Sequence, residues 1–146
     1  MIEDTMVKRI KNHRGVAAVE FALVLPLLVL IALGIIEFSL ALYDKAVITN
    51  ASREGARAGI VFGVPSVTDG DIIELVNAYC GSRLISFGAD NQVTTTVSRE
   101  PPGTTGDDLT VQVSYQYQFL AIPRFLTGLT EEGHIELAAQ TIMRME

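Results

Sequence analysis

The chain has 146 residues, with 17 acidic against 11 basic side chains, a formal net charge of −6 and a single cysteine. Setting aside one membrane-length segment leaves roughly 85–100 residues, room for one small domain and no more. The acidic balance argues against nucleic acid as a partner, and a lone cysteine, Cys80, has no intrachain disulfide partner.

Met1 to Arg14 is short and polar, with Lys8, Arg9, Lys11 and Arg14 crowded toward its C-terminal end. By the positive-inside tendency this segment stays in the cytoplasm and the C-terminal part of the chain is sent outward. His13 adds to the basic cluster. Then comes Gly15, and from there an apolar run reaches Tyr43 with no charge between Phe21 and Ile36. About twenty residues rising about 1.5 Å each cross a bilayer core, so the run predicts a membrane-spanning helix. Glu20 is out of place in it. A carboxylate costs about 2.5–3.5 kcal/mol at the centre of such a helix and less near an interface, so it needs a reason. Cleavage after Gly15 supplies one, because the new amine of Val16 then lies one helical turn from Glu20, or opposite the Glu20 of a neighbouring subunit.

Arg14-Gly15 before an apolar helix, with Glu20-Phe21 at the fifth and sixth positions after the glycine, resembles the processing site of type IV prepilins and pseudopilins. The longer string RGVAAVEFALVLPLLVLIALGIIEFSLALY, continued by ITNASREGARAG, resembles the TadE-like family of the tight-adherence (Tad, or Flp) pilus system, and the ending AAQTIMRME is similar to that family's final strand. The resemblance implies a membrane peptidase that cuts between Gly15 and Val16, Glu20 as the assembly carboxylate, and Arg14 and Phe21 as the flanks of the motif. It implies a minor pilin or pseudopilin whose partners are the prepilin peptidase, other pilin subunits, the Tad assembly machinery and, before assembly, the inner membrane. The C-terminal part would lie outside the cytoplasm and then at the cell surface. Loss of residues 1–15 removes four basic and two acidic side chains and leaves a mature charge of about −8. Two rival readings stand beside this one. A secretory signal peptide would be cut at Ser39-Leu40-Ala41, although the apolar run is long for that purpose and Glu20 and Glu37 interrupt its ends. An uncleaved signal anchor would leave a single-pass protein with an outer binding or scaffolding domain.

Pro26 and Gly34 lie within the helical run, where proline removes a backbone donor and bends the helix. Glu37 is expected at the outer membrane boundary, within reach of water or of a neighbour's cation. From Ser39 to about Phe62 the helix continues as an amphipathic stalk. Leu40, Tyr43, Val47, Ala51, Ala58 and Phe62 are expected on its packed side, with Lys45, Thr49, Ser52, Arg53 and Arg57 opposite. Ala51, Gly55 and Gly59 form a small-residue stripe that admits close approach, either within the subunit or between subunits. Gly63-Val64-Pro65 ends the helix.

Thr68 followed by Asp69 and Asp71 predicts a helix start, with Ile72, Ile73, Leu75, Val76 and Tyr79 as the apolar face through about Leu84. The acid spacing does not fit a calcium loop. Residues 88–91 form a turn. Val93, Thr95 and Val97 alternate with Thr94, Thr96 and Ser98 as a strand, and residues 101–108 form a loop. Leu109, Val111, Val113, Tyr115, Tyr117 and Phe119 alternate with polar residues as the clearest strand in the chain, pairing back as an antiparallel hairpin. Residues 122–129 are a short connection. Ile135 to Met145 reads as a last strand, with Ile135, Leu137, Ala139, Thr141 and Met143 on one face. The expected fold is α+β and pilin-like: a leader (1–15), a membrane or filament-core helix (16–42), a stalk (43–62) and a small α+β domain (63–146) of about three antiparallel strands with one extra helix.

No catalytic constellation is legible. His13 and His134 fall on opposite sides of the proposed cut, which leaves no histidine pair for a metal or a nucleophile. The glycines stand singly rather than in a phosphate-cradling loop. No cofactor and no metal are expected, and the chain reads as the substrate of an enzyme rather than as an enzyme.

Overall fold

A computed structural model describes residues 13–61, 67–86, 92–100, 106–119 and 134–145. The fold is α+β. Helix α1 (His13–Gly59) is 47 residues long, about 70 Å at 1.5 Å per residue, and it runs unbroken through Pro26. Helix α2 (Asp69–Gly81) follows, then strands β1 (Val93–Glu100), β2 (Asp108–Gln118) and β3 (His134–Arg144). The strands form one antiparallel sheet in the order β1-β2-β3, with Glu100 opposite Asp108 and Gln118 opposite His134.

The two halves of α1 have different surroundings. Below Glu37 the helix is bare: Val16, Phe21, Leu23, Leu28, Ile31 and Ile35 are all more than half exposed. Its most apolar 18-residue window has none of its residues buried within the molecule. Water does not tolerate that much contiguous apolar surface, so this half requires lipid or other helices around it. From Glu37 upward, one stripe of α1 lies on the inner face of the sheet and against α2.

The core explains the strand pattern. Leu109, Val111, Val113, Tyr115 and Tyr117 alternate inward along β2, flanked by Val93 and Val97 on β1 and by Ala139 with its half-buried neighbours on β3. Alternation puts one face of an antiparallel sheet on the helices and leaves the Thr, Gln and Ser face in water. Phe119 packs edge-on against Tyr117, with ring centroids 5.7 Å apart.

Thr68 does cap α2. Its hydroxyl accepts from the Asp71 N–H at 3.2 Å while the Asp71 carboxylate accepts from the Thr68 N–H at 2.8 Å, a reciprocal capping box. The bonds from Thr68 hold the Asp71 carboxyl below the usual carboxylate range. Helix α2 ends at Gly81 rather than near Leu84, which is buried in the following connector. Ile72, Val76 and Cys80 carry its packed face, whereas Leu75 points outward. Arg99 of β1 ties the start of α2 to the sheet, bonding Asp69 at 2.7 Å and the Val67 carbonyl at 3.0 Å. At the far end, Gly106 (φ +97°) occupies the left-handed region that favours glycine, and its N–H donates to the Met145 carbonyl.

The stalk's packed face differs from the expected one. Val47 and Ala51 are buried and Leu40 is half-buried, but Tyr43 is 47% exposed. Ser52, expected on the outer side, is fully buried, and Glu37, Ala41, Asp44, Ile48 and Ala56 join it. The reason is that the sheet supplies polar partners. Ser52 donates to the Thr49 carbonyl at 2.9 Å and lies 2.7 Å from the Thr141 hydroxyl, which is left to donate. Lys45 reaches the Ala138 carbonyl on β3. A lysine on an edge carbonyl blunts a strand that would otherwise template pairing with another chain. The readings for Phe62, residues 63–65, the 88–91 turn, residues 101–105 and the 122–129 connection lie outside the described residues.

Candidate functional site

The head of α1 and its neck carry the candidate side chains, about 25 Å apart along the helix at 1.5 Å per residue. At the head, the Gly15–Val16 bond lies in the first turns of α1. A glycine weakens a helix by about 1 kcal/mol relative to alanine, so Gly15 eases local unwinding around this bond. A Cβ built on Gly15 meets no atom within 4 Å. Phe21 and Val16 are exposed, at 63% and 59%. Glu20 is exposed and is the one charged residue from Gly15 to Ile36. Its position four residues after Val16 puts the two on one face of the helix.

At the neck the sheet covers two carboxylates. Glu37, expected at a wet boundary, is instead 1% exposed, because the C-terminal end of β2 closes over it. The Tyr117 hydroxyl donates to Glu37 Oε1 at 3.0 Å. Asp44, two turns higher on the same stripe, is fully buried, and its Oδ1 accepts from the Ile85 N–H at 3.0 Å. Its Oδ2 has no hydrogen-bond partner. Burial raises the Asp44 carboxyl, opposed in part by the Ile85 bond. Tyr117 is raised by burial first, then by its bond to Glu37 and by the two nearby carboxylates, so its phenol stays neutral. Tyr115 shifts the same way, by burial and then by Asp44. Replacing Tyr117 with Phe deletes this bond at constant packing. We expect a loss of about 1 kcal/mol, read as a lower unfolding midpoint of the full chain in detergent.

Sequence reasoning does not single out this pair. The one signal is spacing: Glu37 and Asp44 are seven apart, in phase with Ala41, Ile48 and Ala51, so both fall on the stripe that packs. The stripe of Ala51, Gly55 and Gly59 faces α2 and β2 of the same chain. A Cβ on Gly55 would lie 2.6 Å from Val76 Cγ2, and one on Gly59 would lie 2.5 Å from Leu109 Cδ2.

Other chemistry is sparse. Cys80 is buried and its thiol is pushed up to about 11 by desolvation, which keeps it protonated and unreactive at neutral pH. Among the described residues no group of three His, Cys, Asp or Glu side chains converges as a metal site. A hollow of about 150 Å³ on the outer sheet face is lined by Gln92, Thr94, Ser114, Tyr115, Gln116 and Glu136 and pairs no nucleophile with a base.

The part shared with known proteins reaches from the head of α1 through its neck. Residues 15–57 match the TadE-like protein family. No curated protein matches the chain, and no solved structure does. The TadE-like segment begins at Gly15 and runs through the apolar half of α1 and most of the stalk. It therefore contains Val16, Glu20, Phe21, Glu37, Asp44, Ala51 and Gly55. Helix α2, the connector after it that supplies Ile85, and the sheet that supplies Tyr117 lie beyond it.

Proposed function

We propose that this chain is a structural subunit of a Tad-type pilus system, a minor pilin or pseudopilin rather than an enzyme. It is made as a precursor in the inner membrane and cut between Gly15 and Val16 by a prepilin peptidase. Residues 16–42 then form the membrane and later the filament-core helix, residues 43–62 the stalk, and residues 63–146 the domain outside the cytoplasm. Its partners are the peptidase, other pilin subunits and the Tad assembly machinery, and the assembled product serves attachment at the cell surface. The observation that carries this reading is the coincidence of three features. The TadE-like match starts at Gly15, an exposed apolar helix comes directly after it, and its one carboxylate lies a turn from the amine that cleavage would create.

Intact-mass and N-terminal analysis of the protein from its native host tests the reading. A chain beginning at Val16 is expected. A chain beginning at Met1 would make it an uncleaved single-pass protein, and one beginning near residue 42 a secreted protein.

A bulky residue at position 15 should block the cut. Because a Cβ there meets nothing within 4 Å among the described residues, Gly15→Leu is expected to leave the fold intact and to test the fit to the peptidase. The expected product on an immunoblot is uncut precursor in the membrane fraction. A mature-length band would refute the assignment of the scissile bond.

A further inference from the structure

We propose that the neck of this subunit is a pH-sensitive clasp. With Asp44 uncharged the lower end of the sheet is closed on α1, and ionisation of Asp44 loosens the contact from Glu37 to Asp44 while the upper stalk stays packed. This does not depend on cleavage after Gly15.

The geometry divides α1 into a strong and a weak contact. From Val47 to Gly59 the packed stripe is apolar and tight, with Val47, Ile48, Ala51 and Ala56 buried and both glycines filled by side chains of α2 and β2. From Glu37 to Asp44 the buried residues of α1 are Glu37, Ala41 and Asp44, with Leu40 half-buried beside them, so two of the four packed side chains are carboxyls. The α1 stripe buries less apolar surface there than along the upper stalk, so the closed state leans more on the bonds from Tyr117 to Glu37 and from the Ile85 N–H to Asp44. A buried carboxylate with one oxygen unbonded is poorly compensated when charged, whereas the neutral carboxyl is far less costly to bury.

Among the described residues around the neck no cation pairs with Asp44. Tyr115 and Tyr117 of β2 are neutral phenols, and Glu37 is a second carboxyl on the same stripe. Helix α2 contributes Cys80 at its buried end, while Arg83, just past that helix, is exposed over the Tyr79 ring. Strand β3 contributes His134, half-buried opposite Gln118, and Glu136, exposed on the outer face. Lys45, next along α1, is engaged with the Ala138 carbonyl.

The direction comes from linkage. Closure raises the Asp44 carboxyl, so the closed state binds the proton more tightly than the open one. Closure is therefore fully favoured below the ordinary carboxylate range, weakens as pH climbs from that range to the raised value, and then levels off.

Amide exchange of Ile85, measured on the full chain in detergent micelles between pH 4 and 8 and divided by the intrinsic rate, reads the clasp directly. In the wild type, protection of Ile85 is expected to fall with pH, by at most about tenfold per unit, while the amides of Val111 and Val113 keep theirs. Asp44→Asn retains the acceptor for Ile85 and removes the charge, so its protection should stay high and flat across the range. A wild-type Ile85 whose protection does not change with pH overturns the proposal without need of any variant. So does an Asp44→Asn protein that keeps the slope, or a slope shared by Val111 and Val113.

Discussion

Glu20→Ala should be cut like the wild type and should fail to assemble. In the free subunit Glu20 is exposed, in no contact that folding would miss, so its loss leaves precursor, fold and cleavage site unchanged. On the proposed assembly the cost falls later, as α1 leaves lipid for a bundle of apolar helices and the Val16 ammonium is buried with it. Next to Glu20 that charge has a partner one turn away. Without it, an unpaired buried charge typically costs about 3–5 kcal/mol. At about 1.4 kcal/mol per factor of ten, incorporation should fall by at least about a hundredfold. The measurement is the ratio of mature subunit in sheared filaments to mature subunit in the inner membrane. A wild-type ratio for Glu20→Ala would remove the pairing of Val16 with Glu20 from the mechanism, although cleavage itself would stand.

The features legible in the sequence are those that short-range rules control. Thr68 announces α2 because a hydroxyl before two acids satisfies backbone donors wherever it occurs, and the capping box duly forms. Leu109 to Phe119 announces β2 because alternation is itself the geometry of a half-buried strand. The head of α1 is legible for a different reason: a glycine, a long uncharged run and one stray carboxylate are decided by the bilayer and not by the rest of the chain. The neck is hidden because its logic is long-range. Glu37 meets Tyr117 eighty residues later, and Asp44 meets the Ile85 N–H forty-one residues later. A hydropathy reading of the stalk puts carboxylates and Ser52 in water and Tyr43 inside, and that assignment inverts once the sheet offers hydroxyl partners and the connector after α2 an amide. The head of α1 is therefore open to inference, while the clasp requires coordinates.

Gly55→Val should unfold the outer domain of a single subunit, with no filament needed to see the effect. Even alanine at this position puts its Cβ 2.6 Å from Val76 Cγ2, inside any normal contact, and Val76 is a stiff β-branched side chain that is itself 1% exposed. Two terms compete in the alanine variant. Replacing a helical glycine gains about 1 kcal/mol in propensity, and overpacking a tight core costs about 1–3 kcal/mol, so a small net loss is expected. Valine removes most of the propensity gain and adds two more carbons against Val76, Ile72 and Val111, so the loss should reach about 3 kcal/mol or more. Gly59→Val meets Leu109 and Ile72 in the same way, but through the mobile ends of their side chains, and should cost less. Gly34→Ala is the control: nothing lies within 4 Å of its Cβ, and the variant should match the wild type or exceed it slightly. Chemical denaturation of each protein in detergent, tracked by near-ultraviolet tyrosine dichroism, ranks the four. If Gly55→Val unfolds like the wild type in micelles yet is missing from filaments, the small-residue stripe serves contacts between subunits instead of the packing of α1 on α2.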